Sequence, residues 1–329
     1  MHFLEELAGR AAALRGRIAL AEGDDPRVIE AARTLSESGA CAITLVCPAT
    51  SRTGEHEALV KRGVEVTDPA EDPRTEELSA FLFRRRAHKG MSEEEAHRAV
   101  LDPLYFTSLL VATGAADGSV GGAVRTTADT VRAALHCIGP GEGLRTVSSA
   151  FIMVHPDPQW GSDGVMVFAD CAVLPDPDPS QLAEIAISAA ATFRSIVGSE
   201  PRVALLSFST KGSAQHPSVD KVIAARLDLE GRNLDFAFDG ELQLDAALIQ
   251  SIGERKAPGS TVAGRANVLV FPNLDAGNIT YKAVERMAGA RALGPLMQGL
   301  ARPANDLSRG CSAADIVQTA LLSILQAKG

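Results

Sequence analysis

The sequence has few aromatic residues, no excess of basic residues and no long apolar run. Aromatic residues make up 4% of its 329 residues, too few for the stacked platforms that bind single-stranded nucleic acid. The formal net charge of −9 argues against a general surface for nucleic acid or an anionic membrane. No stretch of 18 uncharged apolar residues occurs, and the start lacks the regions of a signal peptide. We therefore expect a cytoplasmic protein that binds neither nucleic acid nor membrane.

Motifs for disulfides, metals and common nucleotide loops are also missing. The five cysteines include no C-x-x-C pair, as is typical of a reducing compartment. The seven histidines show no metal-ligand spacing, so we expect no metal centre. Neither G-x-G-x-x-G nor a Walker A loop nor a G-x-S-x-G elbow occurs. Any chemistry would then use arginines, hydroxyls and an acid that act on the reactants' own nucleophiles.

Short apolar runs alternate with helical patterns along the chain. "RIALAEG" precedes "PRVIEAARTLSES", "VMVFADCAV" precedes "SQLAEIAISAAATFRSI", and "RVALLSFS" precedes "SVDKVIAARL". Unalternating apolar strands separated by helices predict an α/β fold with largely parallel sheets. The length favours two domains, and the glycine-rich segment 138–146 could divide them. Ligands in such folds bind beyond the carboxyl ends of the strands.

The segment "PANDLSRGCSAAD", residues 303–315, combines three polar residue types before the last helix. Ser308 and Arg309 fall in a predicted loop, and Ser312 with Asp315 fits the S-x-x-[DE] capping signature. Apolar spacing predicts a helix over about 313–327. Two interpretations stay open from these residues: Asp315 caps the helix, or it acts beside an arginine in a site. Arg309 by itself is typical of a solvated surface arginine.

The glycine-rich stretch 114–139 leads into another predicted helix. Thr126 or Thr127 caps this helix, Asp129 completes a Thr-x-x-Asp box, and Arg132 lies on the second turn. Free N–H groups at such a helix start can bind an anion. An ordinary loop-to-helix junction would give the same pattern.

Two other segments carry charge or hydroxyls where a ligand could bind. Residues 84–86 are three consecutive arginines at a predicted helix end, where at most two can reach one pocket. Residues 206–217 place Ser209 and Lys211 after a strand, in a loop suited to a phosphate or a polar acyl-carrier tail. Solvated helix-end cations and a plain polar loop are the alternatives. We assign Thr127, Ser209 and Lys211 to substrate binding.

Five long segments carry a family resemblance: "ADGSVGGAVRTTADTVRAAL", "VFADCAVLPDPDPSQLAEIA", "LSFSTKGSA", "KAPGSTVAGRANVLVFPNLDAGNITYKAV" and "LGPLMQGLARPANDLSRGCSAADIV". They are similar to phosphotransacetylases (phosphate acetyltransferases), and the resemblance covers nearly the whole chain. It implies two three-layer α/β/α domains with a cleft between them, as in isocitrate and isopropylmalate dehydrogenases. On this basis we expect one domain from residues 1–143 and 297–329, a second from 144–296, and a homodimer.

The resemblance also implies an acyltransferase reaction. Family members interconvert acetyl-CoA plus phosphate with acetyl phosphate plus CoA, through a ternary complex and without a metal. By resemblance Ser308, Arg309 and Asp315 are the catalytic residues, and Arg86 and Arg132 bind substrate. CoA is then a substrate, and no cofactor is expected.

Two departures and one cysteine complete the comparison with the family. The loop 155–164 looks longer than the family's turn, and Arg125 stands where members often have histidine. Neither departure falls on the proposed catalytic residues. Cys171 is expected near the cleft without a catalytic role.

Three alternative functions stay open. The chain could be an acyltransferase that prefers longer acyl groups, like the phosphate butyryltransferases, or a non-catalytic sensor of CoA or acetyl phosphate. A dehydrogenase of the isocitrate type would share the architecture. The lack of an acid cluster for a divalent metal weighs against the dehydrogenase. The intact Ser308, Arg309 and Asp315 weigh against the sensor, because a sensor needs no base.

Overall fold

A computed structural model describes residues 2–329, with His2 described by its backbone alone, and the chain divides into two compact units. The first unit contains residues 2–142 and 300–329, and the second unit contains residues 143–299. We describe each unit by itself.

Helices and strands alternate in the first unit up to residue 142. They are α1 (His2–Leu14), β1 (Arg17–Leu20), α2 (Pro26–Ser38), β2 (Ala42–Val46), α3 (Gly54–Lys61), β3 (Glu65–Thr67), α4 (Thr75–Arg86), α5 (Glu93–Val100), α6 (Pro103–Thr113), β4 (Gly118–Gly121) and α7 (Thr127–Cys137).

The second unit follows, and the chain then completes the first unit. The second unit contains β5 (Ser148–Val154), β6 (Val165–Ala169), α8 (Pro179–Val197), β7 (Arg202–Leu206), α9 (Pro217–Glu230), β8 (Ala237–Leu242), α10 (Leu244–Leu248), α11 (Gln250–Lys256), β9 (Val268–Val270), α12 (Leu274–Ala288) and β10 (Arg291–Gln298). The first unit ends with β11 (Ala304–Asp306) and α13 (Ala313–Lys328).

The sheet of the first unit is parallel throughout, with strand order β11-β4-β1-β2-β3. Ser119 of β4 pairs with Ala19 of β1 on one side and with Ala304 of β11 on the other. The carboxyl ends of these three strands therefore share one edge, and the segments that follow them are neighbours. Apolar side chains of the surrounding helices, such as Leu82 and Phe106, are fully buried in the core.

The sheet of the second unit is mixed, with strand order β10-β5-β6-β9-β7-β8. Strands β6, β9, β7 and β8 are parallel neighbours, whereas β5 runs antiparallel to both β6 and β10. Phe151, Phe168 and Phe271 lie in the core of this unit. The predicted α/β class with mostly parallel sheets is confirmed, and the antiparallel edge is the part that the strand pattern did not reveal.

Aspartate-proline pairs begin several helices. Asp25, Asp102 and Asp178 are N-caps of α2, α6 and α8, and each is followed by proline in the first turn. The aspartate side chain accepts a main-chain N–H bond, and proline there loses no helical hydrogen bond. Within residues 2–329, no helix is both long enough and apolar enough to cross a membrane.

Candidate active site

The loop after β11 exposes the predicted Ser308 and Arg309. Ser308 accepts a 3.3 Å hydrogen bond from the Gly310 N–H at its Oγ, and its carbonyl accepts one from the Cys311 N–H at 2.9 Å. These bonds fold residues 308–311 into a tight turn. The side chains of Ser308 and Arg309 are exposed, and Arg309 makes no ion pair within residues 2–329. The turn therefore presents a hydroxyl and a guanidinium at the carboxyl edge of the sheet.

Asp315 is the third residue of α13 and forms the predicted capping box with Ser312, the N-cap. The Ser312 N–H and hydroxyl both donate to Asp315 Oδ2 at 2.8 Å, and the Asp315 N–H donates back to Ser312 Oγ at 3.3 Å. The capping box and the helix predicted over 313–327 are confirmed. Asp315 Oδ1 accepts no hydrogen bond in the part of the chain that the structure describes. Capping uses one carboxylate oxygen and leaves the other oxygen accessible, so the two interpretations of Asp315 are compatible.

Glu22 holds the glycine-rich loop that follows β4. Its carboxylate is 6% exposed and accepts N–H bonds from Ala123 at 2.8 Å, Val124 at 3.1 Å and Arg125 at 2.8 Å. These three N–H groups are therefore not free for an anion, which corrects part of the expectation for this stretch. The sequence pattern around Glu22 could not predict these contacts, because about a hundred residues separate Glu22 from its partners.

The start of α7 lies against a buried carboxyl group, Asp306. Thr126 is the N-cap, and Thr127 Oγ1 donates to Asp306 Oδ2 at 2.6 Å. Asp306 is 2% exposed, and its Oδ1 has no hydrogen-bond partner among residues 2–329. Burial raises the pKa of this carboxyl group to about 6. Gly122 has a φ of +93°, and a Cβ atom there would lie 2.3 Å from Asp306 Oδ1. Only glycine fits at that position.

Arg27 connects the two loops that lead to α7 and α13. Its Nη1 donates to the carbonyls of Arg309 at 2.8 Å and Cys311 at 3.0 Å, and its Nη2 donates to the Ala123 carbonyl at 2.8 Å. Asp25 holds the same guanidinium through Nε at 3.0 Å and Nη2 at 2.8 Å. Sequence reasoning missed Arg27 because its partners lie 96 to 284 residues away.

Arg86 and Arg132 both act on one histidine. Arg86 ends α4, is half-buried, and has a buried Nε with no hydrogen-bond partner among residues 2–329. Arg132 is exposed and pairs with Asp129 at 2.9 Å. Burial lowers the pKa of His136, and the positive charges of both arginines lower it further. His136 Nδ1 also lies 2.8 Å from the Tyr105 hydroxyl. The first unit thus brings the two predicted substrate arginines into one neighbourhood.

Ser209 and Lys211 lie in the second unit, where their polar groups already have partners. Ser209 is fully buried, and its hydroxyl donates to Glu241 Oε1 at 3.0 Å and accepts the Ala214 N–H at 3.1 Å. Lys211 forms an ion pair with Asp239 and donates to the Gly240 carbonyl at 3.0 Å. Their predicted roles in substrate binding stay predictions.

Three features from the sequence analysis remain: Cys171, Arg125 and the loop 155–164. Cys171 is fully buried, which raises the pKa of its thiol and makes it unreactive. Arg125 pairs with Asp102 at 3.0 Å, and the loop 155–164 closes through a bridge between Ser162 and Val165. No group of three or more potential ligand side chains in the described range 2–329 is arranged to hold a metal ion.

Comparison with known proteins assigns a family. The family described as Phosphate acetyl/butaryl transferase matches residues 2–324. A phosphate acetyltransferase from Thermoanaerobacterium thermosaccharolyticum is 44% identical over 100% of both chains, and one from Paracoccus denitrificans is 47% identical over 99% of both. A solved phosphotransacetylase from Staphylococcus aureus superposes with a TM-score of 0.88 at 38% identity, covering 99% of this chain and 98% of its own.

Proposed function

The chain belongs to the phosphate acetyl/butyryl transferase family, and we propose that it is a phosphate acetyltransferase (EC 2.3.1.8), which transfers an acetyl group reversibly between CoA and inorganic phosphate. The proposal is supported by relatives of that name along the full length of the chain. The observation that carries it is the edge after β11, where Ser308 and Arg309 are exposed and Asp315 keeps a free carboxylate oxygen. Residues 308–315 thus provide a hydroxyl, a cation and an acid within eight positions of the chain.

The proposed reaction begins with the thiol of CoA. A thiol has a pKa near 8.5 and is mostly protonated at neutral pH, so a base speeds its attack. Asp315 Oδ1 takes the thiol proton while the sulfur forms a bond to the acetyl carbon of acetyl phosphate. The carbonyl oxygen becomes an oxyanion, and the Ser308 hydroxyl donates a hydrogen bond to it.

Collapse of the tetrahedral intermediate completes the transfer. The bond between the acetyl carbon and the phosphate oxygen breaks, the carbonyl re-forms, and phosphate leaves with the electron pair of that bond. The Arg309 guanidinium matches phosphate with two parallel N–H bonds and neutralises the charge of the leaving group. Acetyl-CoA and phosphate are the products, and the reverse reaction uses the same groups.

Arg86, Arg132, Thr127, Ser209 and Lys211 are proposed to bind the substrates. The two arginines suit the phosphate groups of CoA, since guanidinium binds phosphate well. We further propose a cytoplasmic homodimer that takes CoA as a substrate and carries no cofactor.

The direct test follows loss of the free CoA thiol when purified protein is mixed with acetyl phosphate. We expect catalytic thiol loss that depends on both substrates, with acetyl phosphate turned over faster than butyryl phosphate. Faster turnover of butyryl phosphate would support the longer-chain alternative. Binding of CoA without turnover would make the protein a sensor and contradict the proposal.

The proposed chemistry leaves no step for a metal ion. Arg309 neutralises the phosphate charge and Asp315 removes the proton, which are the two tasks that a bound metal would otherwise perform. We predict that turnover survives an excess of chelator. Loss of activity with EDTA, restored by a divalent metal, would contradict this mechanism.

A further inference from the structure

The tripeptide Asp-Pro-Arg occurs twice in the first unit and makes the same hydrogen bonds between aspartate and arginine each time. At residues 25–27 the aspartate accepts the arginine N–H at 2.8 Å and the Nε at 3.0 Å, and at residues 72–74 both distances are 2.8 Å. Nη2 of each arginine also bonds the second oxygen of its aspartate, at 2.8 and 2.6 Å. The arginine side chains are 31% and 30% exposed. The two Asp-Pro-Arg segments therefore match in sequence, in the hydrogen bonds between aspartate and arginine, and in the exposure of the arginine.

The two Asp-Pro-Arg segments differ in the other hydrogen-bond partners of the arginine. Arg74 directs Nη2 at a second carboxylate, Glu65, at 2.6 Å. Arg27 instead donates to three main-chain carbonyls, those of Ala123, Arg309 and Cys311. Arg74 is therefore part of an ion-pair cluster, whereas Arg27 connects two loops that lie far apart in the sequence.

All five N–H groups of the Arg27 guanidinium are used. Nε and one hydrogen of Nη2 bond Asp25, the other hydrogen of Nη2 bonds Ala123, and Nη1 bonds Arg309 and Cys311. A guanidinium has five donors and no acceptor. Arg27 therefore has no donor left for a substrate, and it cannot act as a phosphate-binding residue without losing one of these bonds.

The three carbonyls lie in segments that carry proposed catalytic and binding groups. The turn 308–311 displays Ser308 and Arg309, and Ala123 lies just before α7, which carries Thr127 and Arg132. The N–H groups of residues 123–125 donate to the carboxylate of Glu22, which fixes this segment from a second direction. Arg27 bonds the backbone of Arg309 while the side chain of Arg309 remains exposed.

We propose that Arg27 is a positioning residue for the transfer reaction: it fixes the 308–311 turn against the loop before α7, so that Ser308 and Arg309 keep their productive placement. The proposal rests on the proposed function. A misplacement of about 1 Å at a reacting centre can cost about 10²-fold in rate. Loss of Arg27 therefore lowers kcat although Arg27 touches no reactant.

The test compares Arg27→Gln with Arg74→Gln, which removes the matched arginine outside the site. We expect Tm to fall in both variants, because each loses the ion pair with the preceding aspartate. Arg74→Gln should lose at least as much stability as Arg27→Gln, because it also loses the bond to Glu65 and leaves the 3%-exposed side chain of Asp72 without its cation. We expect Arg27→Gln to lower kcat by about 10- to 10²-fold, and Arg74→Gln to keep kcat within about twofold. Arg27→Lys, which retains a cation with three donors, should recover part of the loss. Equal kcat values for the two glutamine variants would overturn the proposal.

A double-variant cycle with Arg309→Gln shows whether Arg27 acts through the turn. If Arg27 works by placing the turn, the double variant loses less than the product of the two single losses, because Arg309→Gln has already removed the part that depends on the placement of Arg309. Fully multiplicative losses would contradict the inference, even for variants that fold. Wild-type protein without thiol-releasing activity would instead contradict the proposed function, so the two failures are distinguishable. Faster amide hydrogen exchange over residues 308–312 in Arg27→Gln, unchanged in Arg74→Gln, gives a readout independent of activity.

Discussion

The two loops that we assign to substrates are built alike but leave different groups free. The loop 307–312 follows β11 in the first unit, and the loop 207–216 follows β7 in the second unit. Both contain serines and one lysine or arginine, and both precede a helix. In the first loop the polar side chains of Ser308 and Arg309 face solvent, whereas in the second loop Ser209 and Lys211 bond to groups of their own unit.

Each loop has a buried carboxyl group next to it. The two carboxyl groups accept hydrogen bonds from different segments, and this difference explains why only the first loop keeps its polar side chains exposed. Glu241 is 3% exposed and accepts hydrogen bonds at Oε1 from Ser209 Oγ and, at 2.7 Å, from the Gly212 N–H. Asp306 is 2% exposed but takes its short bond from Thr127, which belongs to α7. The polar atoms of the second loop are therefore used in hydrogen bonds within the folded second unit. The first loop is held from outside, by Arg27, and keeps its side chains available.

Substitution of the two basic residues should give the largest difference between the loops. We predict that Arg309→Gln lowers kcat/KM for acetyl phosphate by about 10²-fold or more, because it removes the charge assigned to the leaving phosphate. Tm should barely change, since the side chain is exposed and makes no ion pair within the described chain. Lys211→Gln should raise KM for CoA by up to about tenfold and keep kcat, as expected for a group that binds substrate uniformly. A larger loss of kcat in Lys211→Gln than in Arg309→Gln would contradict the assignment of catalysis to the first loop.

The two serines should separate catalysis from folding. Ser308→Ala should lower kcat by about 10- to 10²-fold with little change in Tm, because an exposed donor to the oxyanion is lost. Ser209→Ala should cost about 1–3 kcal/mol of unfolding free energy, since buried Glu241 loses a donor. Kinetics beside urea denaturation measure both effects. A higher KM for Ser209→Ala with unchanged stability would place that hydroxyl on the substrate instead.

A third difference concerns the pH dependence of stability next to the first loop. Burial raises the pKa of Asp306 to about 6 from an ordinary value near 4, so the ionised form is disfavoured in the folded protein. Stability associated with this group is complete below about pH 4 and is lost as pH rises through 6. We predict that Asp306→Asn abolishes this loss of about 3 kcal/mol between pH 4 and 7. Parallel stability profiles for wild type and variant would show that Asp306 titrates normally.

Local sequence signals were sufficient for α13 and its cap. The apolar spacing after Asp315 predicted α13, and the S-x-x-D signature predicted its capping box, because both depend on residues within a few positions. The choice between Thr126 and Thr127 as the cap of α7 needed coordinates, since both are suitable hydroxyls. The catalytic and binding roles of the site residues stay predictions.

Contacts between distant segments could not be predicted in the same way. Glu22 and Arg27 fix the loops around the proposed site, and their partners lie about 100 to 280 residues along the chain. The Asp-Pro-Arg tripeptide is visible twice in the sequence. Nothing local distinguishes Arg27, which holds three carbonyls, from Arg74, which pairs with Glu65. Only the neighbouring strands β1, β4 and β11 bring the three segments together.

The most direct test of the account is the comparison of Asp315→Asn with Ser312→Ala. Both variants disturb the capping box, so each should lose about 1 kcal/mol of stability. If Asp315 Oδ1 is the base, Asp315→Asn lowers kcat by about 10²- to 10⁴-fold, whereas Ser312→Ala keeps kcat nearly intact. Higher pH should partly restore Asp315→Asn, because more CoA is then already thiolate. A thermal melt beside the thiol assay measures these outcomes, and turnover of Asp315→Asn within about threefold of wild type would make Asp315 a cap alone.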